Sequence, residues 1–294
     1  MRRLYFIVNP ISGSGRGRTR FEQARRLLDA RGADYGFAYT QYAGHAIPLA
    51  REALAAGETC LVAAGGDGTL REVASVLAGE PGTELGILPF GTGNDFARGM
   101  ELPEDIDRLV ELLLEGRAKP VDAGDADGEF FMNVAGFGFD VDVVRHTETY
   151  KKRLNGMLPY LLGILRALMR LSRTRVRVET DDGESFELEV TLFSAANGSR
   201  FAGGIRVAPL ANAADGLLDV CIVKAVSRLT LLRLLPRYVR GGHLEDKKHF
   251  IYFKAKSVRA QCGTAPLELD GELIGQAPAT FSVRPGAIRL IMGD

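Results

Sequence analysis

Over the first 120 residues, short apolar runs alternate with longer segments in which apolar residues recur every three or four positions. The runs predict buried strands at 4–8, 36–39, 60–64 and 85–89. The periodic segments predict helices at 19–31, 46–56, 70–78, 95–100 and 104–115. Strands that alternate with helices indicate right-handed βαβ units and a parallel sheet, and ligands bind such sheets at the carboxyl ends of the strands.

After about residue 120 the pattern changes to β-rich segments separated by short polar turns, such as DDG (181–183) and LDGE (269–272). This pattern predicts an antiparallel sheet or sandwich. Helical patterns interrupt it around 141–171 and 229–239. We therefore predict a parallel α/β domain over 1–124 and a β-rich domain over 125–284, with a cleft between them.

Composition narrows the classes of protein. The chain has 294 residues, 46% of them apolar, with 37 basic and 37 acidic side chains. The apolar content is typical of folded domains, and zero net charge argues against nucleic-acid binding, because neutralising phosphates needs a basic excess. The apolar stretch 157–169 is shorter than the roughly 20 residues that span a bilayer. We expect a cytoplasmic protein with no nucleic-acid partner.

Three glycine-rich turns each follow a predicted strand and precede a helix: NPISGSGRG (9–17), GGDGT (65–69) and GTGND (91–95). Glycine lets the main chain approach a ligand closely, and a helix amino terminus offers unpaired N–H groups to an anion. The turns match neither the Walker A loop nor the Rossmann fingerprint. Three such turns along one sheet nevertheless predict a nucleotide or phosphate ligand.

Two of these turns also contain an aspartate, Asp67 and Asp95. A carboxylate beside a phosphate is repelled unless a divalent cation lies between them, and Mg²⁺ prefers carboxylate and phosphate oxygens as ligands. The pair therefore indicates a Mg²⁺ site. The alternative is that each aspartate only caps its helix by accepting main-chain hydrogen bonds.

The motifs NPISGSG, GGDGT, PFGTGNDFAR (89–98), ADGLLD (214–219) and LDGE, in this order, closely resemble those of the soluble bacterial diacylglycerol kinase family. That family shares its catalytic domain with the animal diacylglycerol, sphingosine and ceramide kinases. The resemblance implies an α/β nucleotide-binding domain like that of NAD kinases and diacylglycerol kinases, a β-sandwich domain, and an active site in the cleft between them. It also implies that residues 285–294 pack back on the first domain.

The activity that the resemblance implies is an ATP-dependent lipid kinase that needs Mg²⁺ and converts diacylglycerol to phosphatidic acid. Glu272 would accept the proton of the lipid hydroxyl, with Asp270 beside it, and Asp67 would act on the Mg²⁺–phosphate assembly. Nucleotide contacts are implied for Asn9, Pro10, Ser12, Gly13, Thr40, Gly65, Gly66, Asp67, Gly68, Thr69, Leu70, Arg71, Gly91, Thr92, Asn94 and Asp95.

Two further sets of metal ligands come from the same resemblance. Asp95 and Asp122 would support Asp67 in the Mg–ATP network, and Asn212, Asp215 and Leu217 would hold a structural Mg²⁺. From the residues alone, the Asp-Gly-Glu sequence at 270–272 is also a common hairpin turn.

The segment 145–177 contains nine Lys or Arg residues and one acid, Glu148, around an apolar helical pattern. A basic helix of this kind can lie in the headgroup plane of an anionic membrane. We therefore expect a peripheral contact with the inner face of the membrane, where the lipid substrate would be taken up. The alternative is an internal helix that covers the sandwich. The oligomeric state stays open, a homodimer included.

Three other functions remain open at this point. The acceptor could be another lipid, such as a sphingoid base, ceramide or phosphatidylglycerol, or a soluble substrate as in the NAD kinases. GTP could replace ATP as donor. A non-catalytic nucleotide-binding regulator is a third alternative, which the intact Asp67, Asp215, Asp270 and Glu272 disfavour.

Overall fold

The computed structural model describes residues 2–151, 154 and 158–293. The chain packs as two compact units. The first unit consists of Met1–Val121 and Gly286–Asp294, and the second unit of Asp122–Pro285. Each of them has its own hydrophobic core.

The first unit contains a parallel sheet. Its strands are β1 (Leu4–Val8), β2 (Tyr35–Tyr39), β3 (Cys60–Gly65) and β4 (Glu84–Pro89). They lie in the order β2-β1-β3-β4, and every neighbouring pair is parallel. The end of the last strand of the chain also joins β4 in parallel, with Leu290 opposite Leu85. The predicted parallel α/β architecture is confirmed, with each strand within one residue of its predicted bounds.

The helices of the first unit follow the predicted alternation. They are the single turn α1 (Ser12–Gly15), α2 (Gly17–Ala30), α3 (Ala46–Ala55), α4 (Asp67–Leu77), α5 (Asp95–Gly99) and α6 (Ile106–Glu115). Helix α6 begins two residues later than predicted because the side chain of Asp105 accepts a hydrogen bond from the Arg108 N–H and caps the helix there. Helix α4 begins three residues early, so that Asp67 lies in its first turn.

Aromatic side chains fill one side of this sheet. The rings of Phe6 and Phe21 lie 5.3 Å apart, and Phe21 lies 5.3 Å from Phe37, with α2 and α6 packed above them. Helix α3 packs against α4 and buries alanines, which bring the main chains of the two helices close together. Helices on a parallel sheet bury its strands, as they do here for β1, β3 and β4.

The second unit is antiparallel. Its strands are β5 (Arg117–Ala126), β6 (Glu129–Phe131), β7 (Val134–Gly138), β8 (Thr174–Thr180), β9 (Ser185–Ala196), β10 (Leu218–Lys224), β11 (Phe250–Ala255), β12 (Ser257–Leu269) and β13 (Glu272–Met292), of which β5 begins and β13 ends in the first unit. The main sheet has the order β11-β10-β9-β7-β12-β13. Strand β8 pairs with both β9 and β12.

The long strands β9 and β12 change partners along their length, and they thereby connect two layers around one core. The rings of Phe137 and Phe193 stack at 5.0 Å in this core, and Phe281 lies 5.4 Å from Phe193. All three side chains are fully buried. The predicted sandwich is confirmed.

In the described part of the second unit, α-helices α7 (Phe139–Lys151), α8 (Leu158–Met169) and α9 (Arg228–Val239) cover the strands. The prediction of a single helix over 141–171 is wrong, because the segment forms two helices; its residues 152–153 and 155–157 lie outside the described residues. A Cβ atom on Gly163 of α8 would lie 2.3 Å from the Thr147 Oγ1 atom of α7 and 3.0 Å from the Val143 carbonyl. Glycine is therefore required where these helices cross. Within the described ranges, no helix is long and apolar enough to cross a membrane.

Candidate active site

The three glycine-rich turns lie side by side at the carboxyl ends of β1, β3 and β4. The main-chain N–H groups of Phe90 and Gly91 donate hydrogen bonds to the Gly65 carbonyl at 2.7 and 3.1 Å. A Cβ atom on Gly91 would lie 2.5 Å from the Gly66 Cα atom, and one on Gly13 would lie 2.3 Å from the Phe90 carbonyl oxygen. Side chains at these positions would push the turns apart, so the glycines allow the main chains to meet.

Polar side chains connect the turns. The Asn9 amide donates a hydrogen bond to Thr69 Oγ1 at 3.3 Å, and the Ser12 hydroxyl donates to the Asn9 carbonyl at 2.9 Å. The Asn94 amide donates to the Pro89 carbonyl at 3.1 Å, from a residue with a φ of 51°. Asparagine tolerates this left-handed conformation better than most residues. All predicted nucleotide-contacting residues except Thr40 lie in these turns or in the first helical residues after them.

Asp67 and Asp95 face the same point of the third turn. A Cβ atom on Gly93 would lie 3.2 Å from Oδ2 of each carboxylate. Burial raises the pKa of Asp67, although main-chain N–H bonds, the one from Phe96 first among them, act in the opposite direction. The Asp67 Oδ1 atom accepts that bond at 3.3 Å, so Asp67 reaches across to α5 while it lies in the first turn of α4.

These two carboxylates fit a Mg²⁺ ion that arrives with a nucleotide. They supply hard oxygen donors on one side, and phosphate oxygens would complete the ligand set. A cation would also relieve the cost of the partly buried Asp67 charge. Within the described part of the chain, no group of three or more His, Cys, Asp or Glu side chains is arranged to hold a metal ion by itself. The Mg²⁺ role of Asp67 and Asp95 stays a prediction.

Thr40 follows β2, and its N–H group donates to the Val8 carbonyl at 2.9 Å. Next to it, the Glu72 carboxylate of α4 accepts hydrogen bonds from the Gly44 and Ala46 N–H groups, both at 3.0 Å. Glu72 thus caps α3 and fixes the segment that follows Thr40. Sequence reasoning missed Glu72, because nothing in the sequence pairs a residue of α4 with the start of α3.

In the second unit, the LDGE segment forms the two-residue hairpin turn between β12 and β13, with Leu269 opposite Glu272. The Asp270 carboxylate accepts three main-chain hydrogen bonds, from Met132 at 2.7 Å, Asn133 at 2.8 Å and Val134 at 3.0 Å. These bonds hold the turn against the start of β7. Glu272 is exposed at the first position of β13.

Asp122 belongs to the second unit and lies beside the ADGLLD segment. Its Oδ2 atom accepts a hydrogen bond from the Gly216 N–H at 2.7 Å, and its own N–H donates to the Ala213 carbonyl at 2.7 Å. The Asn197 amide donates to the Asp122 carbonyl at 2.8 Å. Asp122 therefore anchors the turn at 213–216, and its predicted place in the Mg–ATP network stays a prediction.

The predicted structural Mg²⁺ site is built differently from the expectation. The Asp215 Oδ1 atom accepts a hydrogen bond from the Leu217 N–H at 3.1 Å, and Oδ2 lies 2.6 Å from the Nζ atom of Lys254. The Asn212 carbonyl accepts from the Asp215 N–H at 3.3 Å. Both carboxylate oxygens are engaged, one of them by a cation. With Lys254 in this position, Asn212, Asp215 and Leu217 do not fit a divalent ion.

A largely apolar cavity, partly open to solvent, lies in the second unit. Helices α7, α8 and α9 form its walls together with β9, β10 and β11, through side chains such as Val143, Ile164 and Leu234. Asp140 is the carboxylate among its lining residues. No motif in the sequence marked this cavity, because its walls come from six separate elements.

Asp140 and Glu268 are two buried carboxyl groups on neighbouring elements. Burial raises the pKa of Asp140 to about 7. Burial, with the nearby charge of Asp140, raises the pKa of Glu268 well above its ordinary value. Each has one oxygen, Asp140 Oδ2 and Glu268 Oε1, that lacks a hydrogen-bond partner among the described residues. The other Glu268 oxygen accepts from the Gly271 N–H at 3.0 Å, which connects the pair to the hairpin turn.

Both units match known domain families. The diacylglycerol kinase catalytic domain matches residues 3–126, and the YegS C-terminal NAD kinase beta sandwich-like domain matches residues 133–292. A diacylglycerol kinase of Bacillus subtilis is 34% identical over 96% of this chain and 93% of that protein. A diacylglycerol kinase of Staphylococcus carnosus is 33% identical over 95% of this chain and 92% of that protein.

Solved structures give the same architecture. The crystal structure of a diacylglycerol kinase from Bacillus anthracis has a TM-score of 0.77 and 24% identity, over 99% of this chain and 96% of that one. An NAD kinase from Archaeoglobus fulgidus has a TM-score of 0.54 and 10% identity, over 100% of this chain and 94% of that one. The fold is therefore that of the diacylglycerol kinases and NAD kinases, with an N-terminal catalytic domain and a C-terminal β-sandwich-like domain. The chain belongs to the bacterial diacylglycerol kinase family and is a lipid kinase.

Proposed function

We propose that this kinase transfers the γ-phosphoryl group of ATP to the free hydroxyl of diacylglycerol and forms phosphatidic acid. The names of its relatives support this acceptor. The observation that carries the proposal is the apolar lining of the cavity in the second unit, which is partly open to solvent. Acyl chains fill such a space favourably, since each buried methylene contributes about 0.8 kcal/mol. A soluble acceptor such as NAD would leave it unfilled.

In the first unit, the three turns would bind the nucleotide phosphates. Their glycines allow close approach, and the helices α4 and α5 that follow the second and third turns present N–H groups and the positive end of the helix dipole. Mg²⁺, when bound with the nucleotide, neutralises phosphate charge during transfer. Asp67 and Asp95 would orient that assembly through their converging oxygens.

In the second unit, Glu272 would accept the proton of the acceptor hydroxyl while the hydroxyl oxygen forms its bond to the γ-phosphorus and the bond to the ADP oxygen breaks. Phosphoryl transfer needs little more from the protein than alignment, charge neutralisation and such a base. Asp270 would act as a positioning residue. Its three main-chain bonds hold the turn that carries Glu272, which supports this assignment.

We further propose that α8 contacts the membrane from which the lipid is taken. This helix buries its small residues Gly163 and Ala167, whereas four large apolar side chains are 47–58% exposed: Leu158, Leu161, Leu165 and Met169. Arg166 is exposed on the same helix, and Arg170, the residue that follows the helix, is exposed as well. Exposed large apolar side chains beside an exposed arginine on one helix suit an apolar phase outside the protein.

The decisive assay incubates the protein with γ-labelled ATP and, separately, diacylglycerol, ceramide, sphingosine, phosphatidylglycerol and NAD. We expect label in phosphatidic acid, its loss in Asp67→Ala and Glu272→Ala, and full activity in Glu111→Ala, which changes an exposed carboxylate of α6. Label in NAD but in no lipid would refute the proposal. Nucleotide binding without any phosphoryl transfer would favour the non-catalytic regulator. The same assay with γ-labelled GTP tests whether GTP can replace ATP as the phosphoryl donor.

The cavity has its own test. Leu234→Trp places a larger side chain in it, whereas Leu234→Met conserves the volume. We expect Leu234→Trp to raise KM for long-chain diacylglycerol roughly tenfold, equivalent to about two methylenes, and to affect a short-chain diacylglycerol less. An equal rise in KM for the long-chain and the short-chain diacylglycerol would show that the cavity does not bind the acyl chains.

Membrane contact is measured by sedimentation with anionic vesicles. The pair Arg166→Gln and Arg170→Gln should weaken binding roughly 30-fold, because each cation near an anionic surface contributes about 1 kcal/mol. Arg26→Gln with Arg51→Gln, two exposed arginines of the first unit, is the matched control. Vesicle binding that changes neither with salt concentration nor with the Arg166 and Arg170 substitutions would contradict the proposed contact.

A further inference from the structure

Lys254 lies where the family resemblance implies a divalent metal ion. Its Nζ atom is 2.6 Å from Asp215 Oδ2, 3.3 Å from Asp219 Oδ2 and 3.4 Å from the Leu210 carbonyl oxygen. Two carboxylates and a main-chain oxygen are the kind of ligand set that a hard cation uses. The ammonium donates hydrogen bonds to the Leu210 carbonyl and to Asp215, and it forms an ion pair with Asp219.

The fold itself brings these groups together. Asp219 of β10 and Lys254 of β11 stand directly opposite each other in the antiparallel pair, and opposite charges in such pairs attract. Tyr252 lies on the same face of β11, two residues before Lys254, and its hydroxyl donates a hydrogen bond of 2.6 Å to Asp219 Oδ1. Asp215 of the ADGLLD segment, three residues before the start of β10, completes the group.

The ammonium compensates charge that is partly buried. The Asp219 side chain is 1% exposed, whereas the side chains of Asp215 and Lys254 are 25% and 33% exposed, so a buried carboxylate lies beside a second one at the edge of the solvent. Without a cation they would repel each other, and a buried charge without a partner is costly. In this chain the compensating charge is covalently attached and cannot dissociate.

We propose that the Lys254 ammonium is the built-in cation of the ADGLLD segment and that it excludes a divalent ion from Asp215. The second unit then keeps this segment folded without metal, and chelators act on the kinase only through the nucleotide-bound Mg²⁺. The exclusion follows from space and charge, because an ion at Asp215 would have to displace the ammonium from a carboxylate 2.6 Å away.

The test measures metal binding without nucleotide, so it does not depend on kinase activity. Mn²⁺ is titrated into the wild-type protein, the single variants Lys254→Met, Lys256→Met and Asp215→Asn, and the double variant Lys254→Met with Asp215→Asn, and bound Mn²⁺ is followed by electron paramagnetic resonance. We expect Lys254→Met to bind one Mn²⁺ more per chain than wild type and the double variant to lose it. Lys256→Met, an exposed lysine two residues away, should match wild type.

Two results would overturn the proposal. One is a Lys254→Met protein that is folded by circular dichroism but binds no more Mn²⁺ than wild type. The other is wild-type Mn²⁺ binding that disappears in Asp215→Asn alone, since the ion would then already occupy the site beside Lys254. The second result needs only the wild type and Asp215→Asn, so it decides the question even if Lys254→Met fails to fold. Melting temperatures with EDTA and with Mg²⁺ should agree in the wild type and differ in Lys254→Met.

Discussion

The two units present their candidate functional groups in opposite ways. The first unit uses main chain: three glycine-rich turns meet at one edge of a parallel sheet, with contacts that no Cβ atom would allow. The second unit uses side chains that reach across from other strands. The Asp270 carboxylate accepts hydrogen bonds from the main-chain N–H groups of residues 132–134, and Lys254 lies between Asp215 and Asp219. A phosphate can be bound by almost any loop of N–H groups, whereas an acceptor site needs individual side chains in fixed places.

The largest effect is expected where the second unit supplies chemistry. Glu272→Gln keeps the shape of the side chain but cannot accept a proton, so kcat should fall about 10²–10⁴-fold, the usual contribution of a general base. Because Glu272 is exposed, the melting temperature should stay unchanged. Activity and thermal unfolding are measured on the same preparation.

Asp270→Asn compares a positioning residue with the proposed base Glu272 in the same turn. This substitution weakens three main-chain hydrogen bonds, so we expect the free energy of unfolding to fall by about 1–3 kcal/mol together with kcat. If Asp270→Asn lowered kcat at unchanged stability, Asp270 would be part of the chemistry and not a positioning residue.

A smaller effect is expected in the first unit. Gly91→Ala introduces a Cβ atom 2.5 Å from the Gly66 Cα atom. Forcing extra atoms into a packed site costs about 1–3 kcal/mol, so KM for ATP should rise roughly 10- to 100-fold. Gly263→Ala, where a Cβ would meet nothing within 4 Å, is the control. An unchanged KM for ATP would show that close contact of the turns is not needed for nucleotide binding.

The smallest effect concerns pH. The folded-state pKa of Asp140 is raised to about 7 from an ordinary value of 3.8. The unfolded chain therefore releases this proton first, and the stability contribution, complete below pH 3.8, is lost as the pH rises through about 7. Asp140→Asn should flatten this decline between pH 5 and pH 8 by on the order of 1 kcal/mol.

Urea unfolding followed by circular dichroism measures this difference, since the chain contains no tryptophan. Asp182→Asn, an exposed aspartate in the β8–β9 turn, should leave the pH dependence as in wild type. Parallel pH curves for Asp140→Asn and wild type would mean that Asp140 is ionised throughout the range.

The sequence by itself determined the elements of the first unit and the place of its ligand turns. Strand–helix alternation and glycine are local signals, and the carboxyl ends of parallel strands necessarily meet at one edge. The hairpin turn at Asp270 and the antiparallel strands of the second unit were also predictable, because turn residues and the alternation of apolar and polar positions are signals within a few residues of sequence.

Only the tertiary structure decided the rest. It divided 141–171 into two helices, placed Glu72 against the start of α3, paired Asp140 with Glu268, and set Lys254 where a metal ion was expected. Each of these depends on residues far apart in the chain that compete for the same space or charge. Local sequence patterns do not predict such contacts, because the contacts form only when distant segments pack together in the folded chain.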